Sequence, residues 1–87
     1  MEKSTPNLDI KVHGFYAYVK GLEKGLGLVV FDKTDKMISG VKLCVGKTEN
    51  FQMTKSEFEN LIAYGMIEFV ESLPKHVWKD LRKSYTK

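Results

Sequence analysis

One cysteine, Cys44, is all that this chain of 87 residues carries. A single thiol closes no internal disulfide, and a small secreted domain would usually hold several, so a disulfide-stapled scaffold is excluded. Long apolar runs are equally scarce. The longest, Leu26 to Phe31, is interrupted by Gly27 and falls far short of the roughly 20 residues that a membrane span needs. The opening Met1-Glu2-Lys3-Ser4-Thr5-Pro6 lacks the apolar core of a secretory signal. From these absences we expect a cytoplasmic protein with no membrane partner. No internal repeat, low-complexity segment or domain linker interrupts the chain, so residues 1–87 are expected to form one small domain, with residues 1–6 flexible. Two histidines and one cysteine lack the paired ligand spacings of a zinc site, and neither a metal nor a cofactor is expected.

What the chain does have is an ordinary globular balance, 43% apolar and 29% charged, and an uneven distribution of charge. The net charge is +3. Residues 1–53 contribute +2, residues 54–73 contribute −3, and residues 74–87 contribute +4. A basic block therefore follows an acidic one. Such a block attracts phosphate backbones or acidic surfaces, unless it is simply the solvated face of a helix.

The strongest local signal is a helix over residues 55–64. Thr54 is placed as N-cap and Glu57, three residues on, completes a capping box. Met53 and Phe58 are placed as a hydrophobic staple, Phe58, Leu61 and Ile62 recur at helical spacing, and Gly65 falls where a left-handed C-cap is wanted, with Met66 placed to touch Leu61. A helix this short needs a sheet to pack on. Alternation from Leu8 to Lys20 predicts a long first strand in which Gly14 marks a possible bulge. Strand two is expected at Leu26 to Asp32 and strand three at Met37 to Val45, joined by short turns and hence antiparallel. Gly46 to Asn50 reads as loop, Phe51 to Met53 as a short strand, and Met66 to Val70 as another. Pro74 sits near the first position of a second helix, with Val77, Trp78, Leu81 and Tyr85 as its apolar stripe. The expected class is α+β: a mainly antiparallel sheet, built from a three-strand meander plus one or two short strands, with two helices packed on one face.

Catalytic motifs fail on spacing. Gly40 to Thr48 ends Gly-Lys-Thr after a strand, but five residues separate its glycines where a phosphate loop needs four, and no helix is expected at Thr48. Cys44 lies in an apolar strand with neither His13 nor His76 near it in sequence, so it reads as an inert thiol. Glu57 is explained by capping, and Glu59, Glu68 and Glu71 by solvent. The chain is not expected to be an enzyme.

Nucleic-acid motifs come closer. His13-Gly14-Phe15-Tyr16-Ala17-Tyr18-Val19-Lys20 resembles the RNP1 octamer of RNA-recognition domains, with one extra residue after Phe15. That insertion splits the stacking pair between the two faces of a strand, and the residues ahead cannot supply the strand, helix and strand that the family requires, so membership is rejected. Val19-Lys20, then Glu23-Lys24-Gly25-Leu26-Gly27-Leu28-Val29, is similar to a stretch of cold-shock domains. Leucines stand at both aromatic positions, and the helical second half does not suit a small barrel.

What survives is a sheet edge carrying Lys11, His13, Phe15, Lys20 and Lys24 beside Tyr16 and Tyr18, the tyrosines reading as core or as stacking surface. The first expectation is a small non-catalytic nucleic-acid-binding protein, with RNA or single-stranded DNA preferred. Lys75, Lys79, Arg82 and Lys83 would neutralise phosphates, and Lys11, Phe15, Lys20 and Lys24 would form a second, partly stacking surface. The alternative is a protein-interaction module, an inhibitor or adaptor of a host enzyme of the phage or mobile-element type, or a homodimer. There Trp78, Leu81 and Tyr85 would be the interface rather than core.

Overall fold

A computed structural model describes residues 10–85 of the chain. The segment expected to be flexible, 1–6, and the start of the expected first strand, Leu8 and Asp9, lie outside the described residues. Five strands and two helices follow in order: β1 (Gly14–Tyr18), β2 (Gly27–Lys33), β3 (Met37–Cys44), β4 (Lys47–Thr54), α1 (Lys55–Ala63), β5 (Ile67–Ser72) and α2 (Lys75–Arg82). The strands form one sheet in the order β4-β3-β2-β1-β5, with every neighbouring pair antiparallel. The class is the α+β class expected from the sequence. β4 and β5 occupy opposite edges, and α1 carries the chain across the sheet between them.

α1 forms for the local reasons its sequence announces. The Glu57 backbone N–H donates to Thr54 Oγ1 at 3.0 Å, and the Thr54 backbone N–H donates to Glu57 Oε1 at 2.9 Å, so two otherwise orphaned donors are satisfied reciprocally. At the other end Gly65 takes φ 73°, Met66 N–H donates to Leu61 O at 2.9 Å and Gly65 N–H to Ile62 O at 3.0 Å. Those are the two bonds of a Schellman cap.

Two stretches depart from expectation. Of the segment 46–50, expected as loop, residues 47–50 belong to β4, which pairs with β3 over its whole length from Met37↔Thr54 to Cys44↔Lys47. A two-residue connection, Val45 and Gly46 with Gly46 at φ 79°, closes this hairpin. The residues look like loop because β4 is an edge strand whose first half is solvated; it turns apolar only at Phe51 and Met53, where α1 begins to cover it. The first strand is also shorter than expected. His13 takes φ 66°, Gly14 N–H donates to Lys11 O at 3.0 Å, and Lys11 N–H donates to the Tyr16 hydroxyl at 3.0 Å, so the chain curls at 11–14 instead of running straight. That curl tucks Ile10 into the core beside Tyr16, which is 2% exposed.

The helices do not share a face. Phe58 of α1 packs with Ile10, Tyr16, Tyr18, Leu28, Val30, Ile38 and Ile67, and Leu61 and Ile62 flank that cluster. Trp78 and Leu81 of α2, with Leu73 and Tyr85, pack on Val29, Phe31 and Val41. Register separates the two sets: Phe15, Val29 and Val41 face one another across β1, β2 and β3, while Tyr16 and Leu28 form the next pair and point the other way. One helix therefore covers each face. The cause is β2, whose Leu28, Val29, Val30 and Phe31 are all buried and so need cover on both sides.

Candidate nucleic-acid interface

α2 begins after Pro74, whose extended backbone (φ −65°, ψ 155°) serves as N-cap with no side-chain hydrogen bond. Lys79 and Arg82 fall in the last turn, where positive charge suits the carbonyl end of the helix dipole. Beyond Arg82 the chain tightens, with Ser84 N–H donating to Leu81 O at 3.0 Å and Tyr85 N–H to Arg82 O at 2.9 Å. This turn delivers Tyr85 to the sheet. Its hydroxyl donates to Asp32 Oδ2 at 2.6 Å and lies 3.0 Å from Ser39 Oγ.

The apolar side of α2 is thus occupied by its own protein. Trp78 stacks on the His13 imidazole, with centroids 3.7 Å apart and planes 3° apart, while Tyr85 tilts against Phe31 at 5.2 Å. Trp78, Leu81 and Tyr85 were expected as a possible external interface. They are instead half-buried against the sheet, because the face opposite α1 offers Val29, Phe31 and Val41 and needs a cover. Burial first, and the nearby Arg82 guanidinium second, hold the His13 imidazole below its usual pKa. Arg82 itself, at an exposed position, holds its guanidinium carbon over the rings of Phe31 and Tyr85, 5.6 and 5.8 Å from their centroids.

The opposite side of α2 is different. Lys75, Lys79 and Lys83 stand four residues apart, all exposed, and so form one stripe about 6 Å per step along the helix. Lys83 is 3.6 Å from Asp80, an exposed contact between neighbours of one turn. Neither Lys75 nor Lys79 has an ion-pair partner among the described residues.

The remaining expected contacts do not all join this stripe. Lys11 lies just ahead of β1, at the end of the sheet where α2 docks through His13. Lys20 and Lys24 lie in the β1–β2 turn at the other end, a strand length away. There Glu23 pairs with Lys42 at 2.9 Å, a hydrogen bond that raises the lysine's pKa, and adds an acid beside Lys24. Phe15 is not a free stacking platform: its half-buried ring lies over Gly27 on the α2 face, where a Cβ at position 27 would strike it. Tyr16 and Tyr18 are core. Lys36, not among the expected residues, is exposed in the β2–β3 turn at the same end as Lys11 and α2. The meander could have revealed it, since that turn must lie where β1 begins.

Among the described residues, no group of three His, Cys, Asp or Glu side chains is gathered to hold a metal ion, and no helix is long and apolar enough to cross a membrane. Cys44 is half-buried rather than in the core, its Sγ 3.8 Å from Glu49 Oε1. Comparison with protein-family models, with curated proteins and with solved structures finds no match to this chain.

Proposed function

We propose that this protein binds nucleic acid without catalysis, through the outward side of α2. The observation that carries this reading is the division of α2 into two sides. Its apolar stripe is used internally, and Lys75, Lys79 and Lys83 are left in line and in water, with Arg82 beside them. Charges held in a row on a docked helix lose little further freedom when a phosphate backbone lies along them. Lys11 and Lys36 extend the positive end of the molecule. With Phe15, Tyr16 and Trp78 packed, few rings are left near the stripe to stack bases, so recognition is by backbone charge and tolerant of sequence.

Binding dominated by about four phosphate contacts on a single strand has a slope of log affinity against log salt of about −3. Fluorescence anisotropy with a labelled single-stranded oligonucleotide, an RNA and a duplex measures it. Changing Lys75, Lys79 and Lys83 together to Gln should remove most of the slope and the affinity, whereas Lys20→Gln with Lys24→Gln should leave both nearly intact. No binding at low salt by the unaltered protein, or equal loss from the two sets of changes, rejects the proposal.

A further inference from the structure

β5 is the last strand on its side of the sheet, with no strand beyond it among the described residues. The phase of its hydrogen bonds is set at both ends. Val19 N–H donates to Met66 O at 2.9 Å, and Leu73 N–H donates to His13 O at 2.9 Å. In an antiparallel ladder the inward and outward residues alternate. Residues 66 and 68 therefore turn their N–H and C=O towards β1, as do 71 and 73 on the far side of an irregularity. The outward groups belong to Ile67, Phe69 and Ser72.

The irregularity decides which side chains share a face. Ala17 pairs with Glu68 and Phe15 with Glu71, so one extra residue, Val70, is accommodated between them. Glu68 and Glu71 are three apart in sequence and would fall on opposite faces of a regular strand. The bulge brings both to the α2 side of the sheet, while Ile67 and Phe69, paired with Tyr18 and Tyr16, face the α1 side. Both carboxylates are exposed and without an ion pair among the described residues. Phe69 is 44% and Val70 50% exposed, large apolar side chains beside an open ladder.

Edge strands are ordinarily blunted by lysine, proline or polar cover. The opposite edge obeys that rule, with Lys47, Thr48, Glu49 and Asn50 exposed and Lys47 paired to Glu49 at 2.8 Å. β5 carries no lysine and no proline. Its charges are all of one sign, which selects among strands that could be added to it. A second copy pairing β5 with β5 would bring two more carboxylates to an edge that already holds two, and like charges facing across strands are destabilising. A basic strand would be attracted.

We propose that the outer edge of β5 docks an extended segment of a partner protein in which basic residues alternate with apolar ones. The segment's backbone bonds to Ile67, Phe69 and Ser72, its basic side chains face Glu68 and Glu71, and its apolar side chains lie beside Ile67 and Phe69. This surface is separate from α2 and independent of nucleic-acid binding.

The probe is a synthetic ten-residue peptide alternating lysine with valine, compared with one alternating glutamate with valine. Amide hydrogen exchange is followed by NMR in the full protein. The lysine peptide should slow exchange at Ile67, Phe69 and Ser72 at least tenfold and the glutamate peptide should not. Glu68→Lys with Glu71→Lys, both at exposed positions, should reverse that preference without loss of fold. Three outcomes overturn the proposal: no protection of those amides, equal protection by both peptides, or protection that grows with protein concentration in the absence of peptide, which would assign the edge to a second copy.

Discussion

The two faces of the sheet are closed by helices of similar length, yet they are closed differently. On the α1 side Phe58 is fully buried among seven other buried residues, and the helix is capped at both ends by backbone and side-chain bonds. On the α2 side three sheet residues are buried, no residue of α2 itself is, and the helix has no side-chain N-cap. Hydrophobic stabilisation scales with the apolar area withdrawn from water. The α1 face therefore carries most of the stability, whereas α2 is a latch, held by a stacked ring at one end and a phenol hydroxyl at the other. Local opening of α2 is therefore expected to leave the sheet intact.

The largest change should come from the α1 face. Phe58→Ala removes a ring that meets Tyr16 edge-on at 5.0 Å and lies 6.4 Å from Phe51. Phe-to-Ala changes at such sites cost about 3–5 kcal/mol, set against a total stability on the order of 4–13 kcal/mol for a domain of this size. Denaturant unfolding followed by circular dichroism should register a loss of that order or an unfolded protein. A loss below about 1 kcal/mol would mean that α1 is not the element on which the fold rests.

A smaller and more local effect is expected from Tyr85→Phe. The change deletes the hydroxyl that donates to Asp32 and approaches Ser39 but keeps the ring against Phe31. A half-exposed bond to a carboxylate is worth about 1–2 kcal/mol. Amide exchange in α2 should quicken by roughly tenfold or somewhat more, while β2 and β3 amides keep their protection. If β2 and β3 lose protection in step with α2, the helix is an integral part of the core rather than a latch.

The same contrast governs what could be read from the sequence. α1 was legible in full because its determinants are short-range: Thr54, Glu57 and Gly65 act within one turn of where they stand. The meander was legible because the connections are too short for anything else. Placement of the second helix required a long-range inference from Leu28 to Phe31, a buried run that requires cover on two faces. Trp78, Leu81 and Tyr85 announce a helix side that will be covered, but amphipathicity does not say whether by the sheet or by a partner. Lys11, Lys20 and Lys24 read as one surface because they flank one strand, and they separate because that strand holds them at its two ends. Lys75, Lys79 and Lys83 lie in line because helical spacing alone puts them there. Of β4 only the second half, Phe51 to Met53, was legible; its first half stayed hidden because an edge strand can be as polar as a loop.

The smallest effect tests the latch at its other end. Burial and the Arg82 charge hold the His13 pKa below 6.5, so the folded state binds a proton less readily than the unfolded chain. Protonation then favours unfolding: stability is complete above about pH 6.5, falls as the pH drops from there to the lowered folded value, and levels off below it. Stacking opposes this loss, since an imidazolium over Trp78 gains a cation–π attraction. Because His13 is only half-buried, the loss is modest and confined to the α2 side. His13→Asn accepts the positive φ at that position and cannot titrate, so its α2 amide protection should be lower throughout but flat across the same pH range. A pH dependence that survives in the variant would assign the titration to another group and leave the His13–Trp78 stack without a part in holding α2.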